Sequence, residues 1–182
     1  LSADGNTAYV ADGDSGLQII DITDFSSPSL ISSLDTVGFS NRVVLSSDGH
    51  TAFVAAWDSG LQIIDVTEHS RPALLSTLDT SGFALDVTLS DDSYTAFVAD
   101  DDNGLQIIDV TNPTRPSLMH SLNTQGYAVD VTLSSDNDIA YVADNTGGLQ
   151  IINLPDRNVQ LIGELSITSI DLFGNISSTR TI

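Results

Sequence analysis

The sequence predicts an all-β protein, a β-propeller of four antiparallel blades, and three observations carry that prediction. The first is a strict 44-residue period. "GLQIID" begins at Gly16, returns at Gly60 and Gly104, and comes back as "GLQIIN" at Gly148. "TAYVAD" at Thr7 keeps the same step, returning as "TAFVAA" at Thr51, "TAFVAD" at Thr95 and "IAYVAD" at Ile139. A fixed period of roughly 20–50 residues signals stacked repeats, none of which buries its apolar face alone. The second observation is that every local signal within a unit is β, with no useful helical periodicity. The third is strand chemistry. "AFVA" and "LQIID" are apolar on both faces, as befits a strand sandwiched between neighbouring blades rather than one with a wet face.

One unit, residues 82–124, shows how each element arises. "FALDVTLS" alternates and is rich in β-branched residues, so it reads as the first strand. "DDS" follows as a turn, because Asp and Ser side chains bond their own backbone. "YTAFVAD" is the second strand, and Ala96, like Ala8, Ala52 and Ala140, leaves room where blades crowd. "DDNG" is the second turn, with Gly104 free to take a positive φ. "LQIIDVT" is the third strand. "NPTRP" is a loop whose prolines block ladder hydrogen bonds. "SLMHSLNT", more polar, is the outer strand at the rim. On this pattern the blades run about 1–37, 38–81, 82–125 and 126–165, and 166–182 is a closing strand or the start of a following segment.

The repeated lines "GLQIIDVTEHSRPALLSTL" and "GLQIIDVTNPTRPSLMHSL" resemble the LVIVD repeat. Its pattern is a Gly, an apolar strand ending in Asp, a short loop with Pro and another strand. The resemblance covers roughly residues 1–165. It implies a β-propeller, and it implies a bacterial or archaeal surface or secreted protein. It does not imply an enzyme. The fourth unit departs, with "NLPDRNVQLIGEL" where the third has "DVTNPTRPSLMHSL".

Composition narrows the partners. Of 182 residues, 25 are acidic and 5 basic, for a formal charge of −20, and all five basic residues are Arg. Such a surface repels nucleic acid and anionic membranes and favours solubility in salt. The absence of cysteine excludes disulfides and thiolate metal sites. No apolar run approaches the roughly 18 residues of a membrane-spanning helix, so no membrane insertion is expected. The opening "LSADGNTAYV" reads as the middle of a repeat, so the chain is expected to be a piece of a longer protein.

The first unit lacks its inner strand. "TSIDL" (168–172) resembles "FALDV" (83–87) and "YAVDV" (127–131), so the C-terminal segment is expected to complete the first blade. That completion has three forms: a four-bladed ring in one chain, an eight-bladed ring from two chains, or a filament in which each chain donates its tail to the next.

Candidate sites are few. The turns "DGDSG" (12–16) and "DDDNG" (100–104) offer Asp12, Asp14, Asp100 and Asp102 as oxygen ligands for calcium. The competing reading is that Asp and Gly merely build tight turns. Arg42, Asp86 and Asp130 share one inner-strand position, joined by Asp171 if the tail supplies the missing strand; together they are candidates to face a central channel. Trp57 occupies a column that is otherwise Gly13, Asp101 and Asn145, which makes it a candidate contact residue. His50, His69 and His120 fall at unlike places in the unit and are not expected to converge on a metal. No nucleophile elbow, phosphate loop or dinucleotide fingerprint is present. The expectation is a non-catalytic extracellular propeller that binds protein partners or itself in adhesion or self-assembly. The alternative is a ligand- or cation-binding propeller, enzymatic or not, with its site at the channel.

Overall fold

The computed structural model describes residues 1–154, 166–170 and 176–181, whose strands form four antiparallel sheets. The first holds β1 (Thr7–Ala11), β2 (Leu17–Asp21) and β3 (Ser29–Leu34). The second holds β4 (Arg42–Leu45), β5 (Thr51–Ala55), β6 (Leu61–Asp65) and β7 (Ala73–Leu78). The third repeats it as β8 (Asp86–Leu89), β9 (Thr95–Ala99), β10 (Leu105–Asp109) and β11 (Ser117–Leu122). The fourth has five strands: β12 (Ala128–Leu133), β13 (Ile139–Asp144), β14 (Gly148–Asn153), β15 (Ser166–Ile170) and β16 (Ile176–Thr181). A short 3-10 turn, Asn145–Gly147, joins β13 to β14. Each sheet runs in chain order from inner to outer strand, the order of a propeller blade.

The repeated glycine of "GLQIID" is fixed by geometry. Gly16, Gly60, Gly104 and Gly148 all lie between +70° and +75° in φ. A Cβ at the first three would strike the carbonyl of Leu34, Leu78 or Leu122 on the outer strand. Any other residue would be both strained and crowded there. The final Asp of the motif bonds forward: Asp21, Asp65 and Asp109 each accept the N–H of a Thr two residues on, at 2.9 Å. The first turn is built alike. Asp48, for example, accepts the His50 N–H at 3.0 Å and the Ser46 hydroxyl at 2.6 Å. These bonds hold Asp4, Asp21, Asp48, Asp65 and Asp136 below the usual carboxylate range.

The core lies between sheets rather than within one. Tyr9, Leu17 and Ile19 of the first sheet pack on Val54, Ile64 and Val66 of the second. Phe53, Leu61 and Ile63 then pack on Val98, Ile108 and Val110 of the third, and Phe97, Leu105 and Ile107 on Val142 and Ile152 of the fourth. β5, β6, β9 and β10 are therefore buried on both faces along most of their length, as the sequence predicts. Burying one such side chain contributes about 1.5–3 kcal/mol. Backbone bridges zip successive sheets at one end: Gly13 with Ser40, Trp57 with Ala84, and Asp101 with Ala128.

The C-terminal segment corrects one expectation. Thr168–Ile170 do not pair with the first sheet. They belong to β15, which lies between β14 and β16 on the outer side of the fourth sheet. β1 has β2 as its ladder partner, and among the described residues no strand flanks its other edge. The missing inner strand of the first blade is thus not supplied by the described part of the tail. The likeness of "TSIDL" to "FALDV" is one of β alternation, which inner and outer strands share.

Candidate functional site

Two groups of residues stand apart from the structural background. The first lies on the inner strands. Because Arg42, Asp86 and Asp130 open equivalent stretches of β4, β8 and β12, the stacking of the sheets brings them together. Arg42 Nε lies 3.2 Å from Asp86 Oδ1, and the Val131 N–H donates to Asp86 Oδ2 at 3.0 Å. Asp130 is exposed, and its carboxyl is close enough to that of Asp86 to raise it. Burial pushes the Asp86 carboxyl up; the Val131 N–H and Arg42 pull it down, and the neighbouring Asp130 raises it again. Asp171, the fourth member of the expected column, lies outside the described residues.

The second group is a row of aromatic rings at the zipped end. Phe39, Phe83 and Tyr127 each follow a linker glycine at the 44-residue step, and Trp57, in the turn between β5 and β6, stands between the first two. The Trp57 ring sits 5.8 Å from Phe39 and 5.3 Å from Phe83, edge to face in both cases. All three are exposed, as is Tyr127 one unit further on. Beside them is a hollow of about 430 Å³ lined by Asp14, Thr36, Phe39, Trp57 and Asp58. Trp57 adopts φ +47°, a left-handed conformation that is a steric outlier for a bulky residue. Gly13 holds the same conformation in the first sheet without that penalty.

The four acidic residues considered for calcium are not alike. Asp12, Asp14 and Asp102 are exposed, whereas Asp100 is fully buried. The Thr80 hydroxyl donates to Asp100 Oδ1, while Oδ2 is buried without a hydrogen-bond partner; Thr80, Asn103 and the Gly82 N–H nearby favour its charged form. Burial outweighs these neighbours and raises its carboxyl to about 7. Asp100 therefore fastens the linker between the second and third sheets. Asp144 does the same one unit later, accepting the Gly126 N–H at 2.9 Å. In the second sheet the column holds Ala56, and Thr36 bonds Ser40 instead, at 2.6 Å. Among the described residues no group of three or more His, Asp or Glu side chains is placed to hold a metal ion.

Sequence reasoning passed over the glutamine of "GLQII". Gln62, Gln106 and Gln150 are fully buried. Gln106 and Gln150 donate to carbonyls of their own turns, Asn103 and Gly147, at 2.9 and 2.8 Å. Gln62 reaches across to the Val37 carbonyl in the linker from the first sheet. A polar residue repeated in an otherwise apolar strand was the available signal.

Four stacked sheets of this order define a β-propeller architecture. The chain belongs to the LVIVD repeat family: the repeat matches residues 1–36, 40–80, 81–124 and 125–155. Among solved structures, it is similar to the β-propeller domain of Cps50 (Swd1) from Myceliophteria thermophila, with 15% identity and a TM-score of 0.68 over 93% of this chain. It is also similar to a Bacteroides uniformis protein provisionally named a 6-phosphogluconolactonase, with 15% identity and a TM-score of 0.77 over the whole chain. The chain spans 63% and 56% of those two chains, so it accounts for less than two thirds of either. At that identity the likeness speaks for the fold alone. No curated protein matches the sequence.

Proposed function

We propose that this chain is a non-catalytic extracellular propeller scaffold that binds protein partners in adhesion or in the assembly of a surface structure. The exposed aromatic row of Phe39, Trp57 and Phe83 carries this reading. Large aromatic rings are the usual anchors of protein contacts, and here one of them is held in a strained conformation where glycine would be easier. The charge of −20 suits a salty exterior and a partner of opposite sign. Membership of a repeat family whose members occur mainly at surfaces or in secretion supports the location.

The test is adsorption of the labelled chain to cell envelopes of its source. Trp57→Gly, which also relieves the backbone strain, should abolish adsorption while the fold persists. Equal adsorption of wild type and variant would contradict the reading. The second reading, a ligand-binding or enzymatic propeller, is favoured by the convergence of Arg42, Asp86 and Asp130. An acidic surface disfavours a phosphorylated substrate such as 6-phosphogluconolactone. Turnover of that lactone, lost in Asp86→Asn, would replace the scaffold by the enzyme.

A further inference from the structure

The turn between β5 and β6 departs from its repeat at two adjoining positions. It has Ala56 where the other units carry Asp12, Asp100 and Asp144, and Trp57 where they carry Gly13, Asp101 and Asn145. Both departures adjoin one hollow, the space of about 430 Å³ walled by Asp14, Thr36, Gly38, Phe39, Trp57 and Asp58. In the next turn Asp100 reaches back to bond Thr80 of the linker. Ala56 is too short to reach Thr36 in the same way. The hollow lies where the turns of the first and second sheets meet, inside the stack.

Its walls are set in advance. Phe39 is pressed on Gly13, where a Cβ would come within 2.6 Å of the ring. Trp57 stands against Phe39 with their planes 79° apart. Two rings at nearly a right angle form a corner, not a flat platform for stacking, and aim negative π-faces at one small group. The carboxylates add to this. Asp14 and Asp58 hold the same column of successive turns, so each of the two sheets contributes one. Asp48, Asp92 and Asp136, in the other turns, accept the N–H two residues on. Among the described residues, Asp14 and Asp58 accept no such bond and pair with no Arg or His. An anion is repelled here, and an apolar group would strip water from two unpaired carboxylates. A cation satisfies the rings and the carboxylates together.

We propose that this hollow takes one cationic side chain, arginine or lysine, of the protein partner, with its charge against the Trp57 and Phe39 rings and paired to Asp14 and Asp58. This names the group by which the partner is held, and it rests on the scaffold reading.

Trp57 is the only tryptophan of the sequence, so its fluorescence reads this hollow alone. The probe is a peptide of alternating glycine and arginine, titrated into the full chain. The control peptide carries citrulline for arginine, which keeps the shape of the side chain without its charge. The arginine peptide should change the Trp57 emission saturably, with weaker binding as salt rises, and the citrulline peptide should not. Asp14→Asn and Asp58→Asn should each weaken binding about threefold, the scale of an exposed ion pair. A charge of −20 attracts any cation, so Asp91→Asn is the control for general attraction. Asp91 is exposed in the turn between β8 and β9, at the opposite end of the strands, and its loss should leave binding unchanged. No response to the arginine peptide, an equal response to citrulline, or equal weakening by Asp91→Asn and Asp58→Asn would each overturn the inference. A chain that ignores the peptide yet adsorbs to envelopes through Trp57 loses this inference and keeps the scaffold reading. Peptide binding with adsorption indifferent to Trp57→Gly keeps the cation site and loses the scaffold reading.

Discussion

The second and third sheets differ from the first and fourth in one respect that the repeat hides. Leu61 and Leu149 occupy the same column of the same motif, yet Leu61 is fully buried and Leu149 is not. In β5, β6, β9 and β10 nearly every residue is buried, whereas in β1, β2, β13 and β14 buried and partly exposed positions alternate. The residues are nearly the same; the number of neighbouring sheets is not. Burial here belongs to the interface, and a sheet with one neighbour leaves half of its apolar surface uncovered. In a repeat protein, stability is carried by contacts between successive units.

The sharpest way to break this comparison is to make one substitution in both places. Leu61→Ala should cost about 2–5 kcal/mol, since it opens a cavity between two sheets. Leu149→Ala, at a half-uncovered site, should cost less than about 1 kcal/mol. Urea unfolding followed by circular dichroism reads both; equal losses would remove the distinction. Next in size is the Arg42–Asp86–Asp130 cluster. Asp86→Ala leaves the Val131 N–H without its carboxylate acceptor and should cost about 1–3 kcal/mol. The same unfolding curves would show it, and a neutral result would mean that the cluster holds nothing together.

A smaller effect separates the two kinds of acidic turn by pH. The Asp100 carboxyl lies near 7 in the folded chain against an ordinary 3.8, so the folded state holds its proton more tightly than the unfolded state does. Its contribution is full below about pH 4, is lost as pH rises towards 7, and is level above that. Asp100→Asn should flatten this slope in melting temperatures measured from pH 4 to 8, with exposed Asp12 as the control. An unchanged slope would show that Asp100 is not the group responsible. The smallest expected change is Trp57→Gly, which should leave stability within about 1 kcal/mol, because lost ring contacts and relieved backbone strain oppose each other.

Much of this architecture was legible in the sequence. The 44-residue step located the strands, and the doubly apolar "TAFVA" and "LQIID" announced sheets stacked face to face. The convergence of Arg42 and Asp86 was legible for the same reason: equal positions in stacked units become neighbours. What escaped notice depended on packing that no single unit displays. The burial of Asp100 follows from Thr80 and Gly82 in the preceding linker, whereas its turn sequence resembles that around exposed Asp12. Phe39 and Phe83 were visible as repeated aromatics, but their contact with Trp57 required the bridge of each turn to the next inner strand. The tail misled because its alternation suits an inner or an outer strand alike, and its place beside β14 is settled by pairing.

The central claim is that burial in this chain belongs to the contact between successive sheets. Amide hydrogen exchange tests it most directly. The account predicts that β5, β6, β9 and β10, covered on both faces, exchange slowly, while β1, β2, β13 and β14 exchange faster. Strands of the first and fourth sheets as protected as those of the second and third would contradict it.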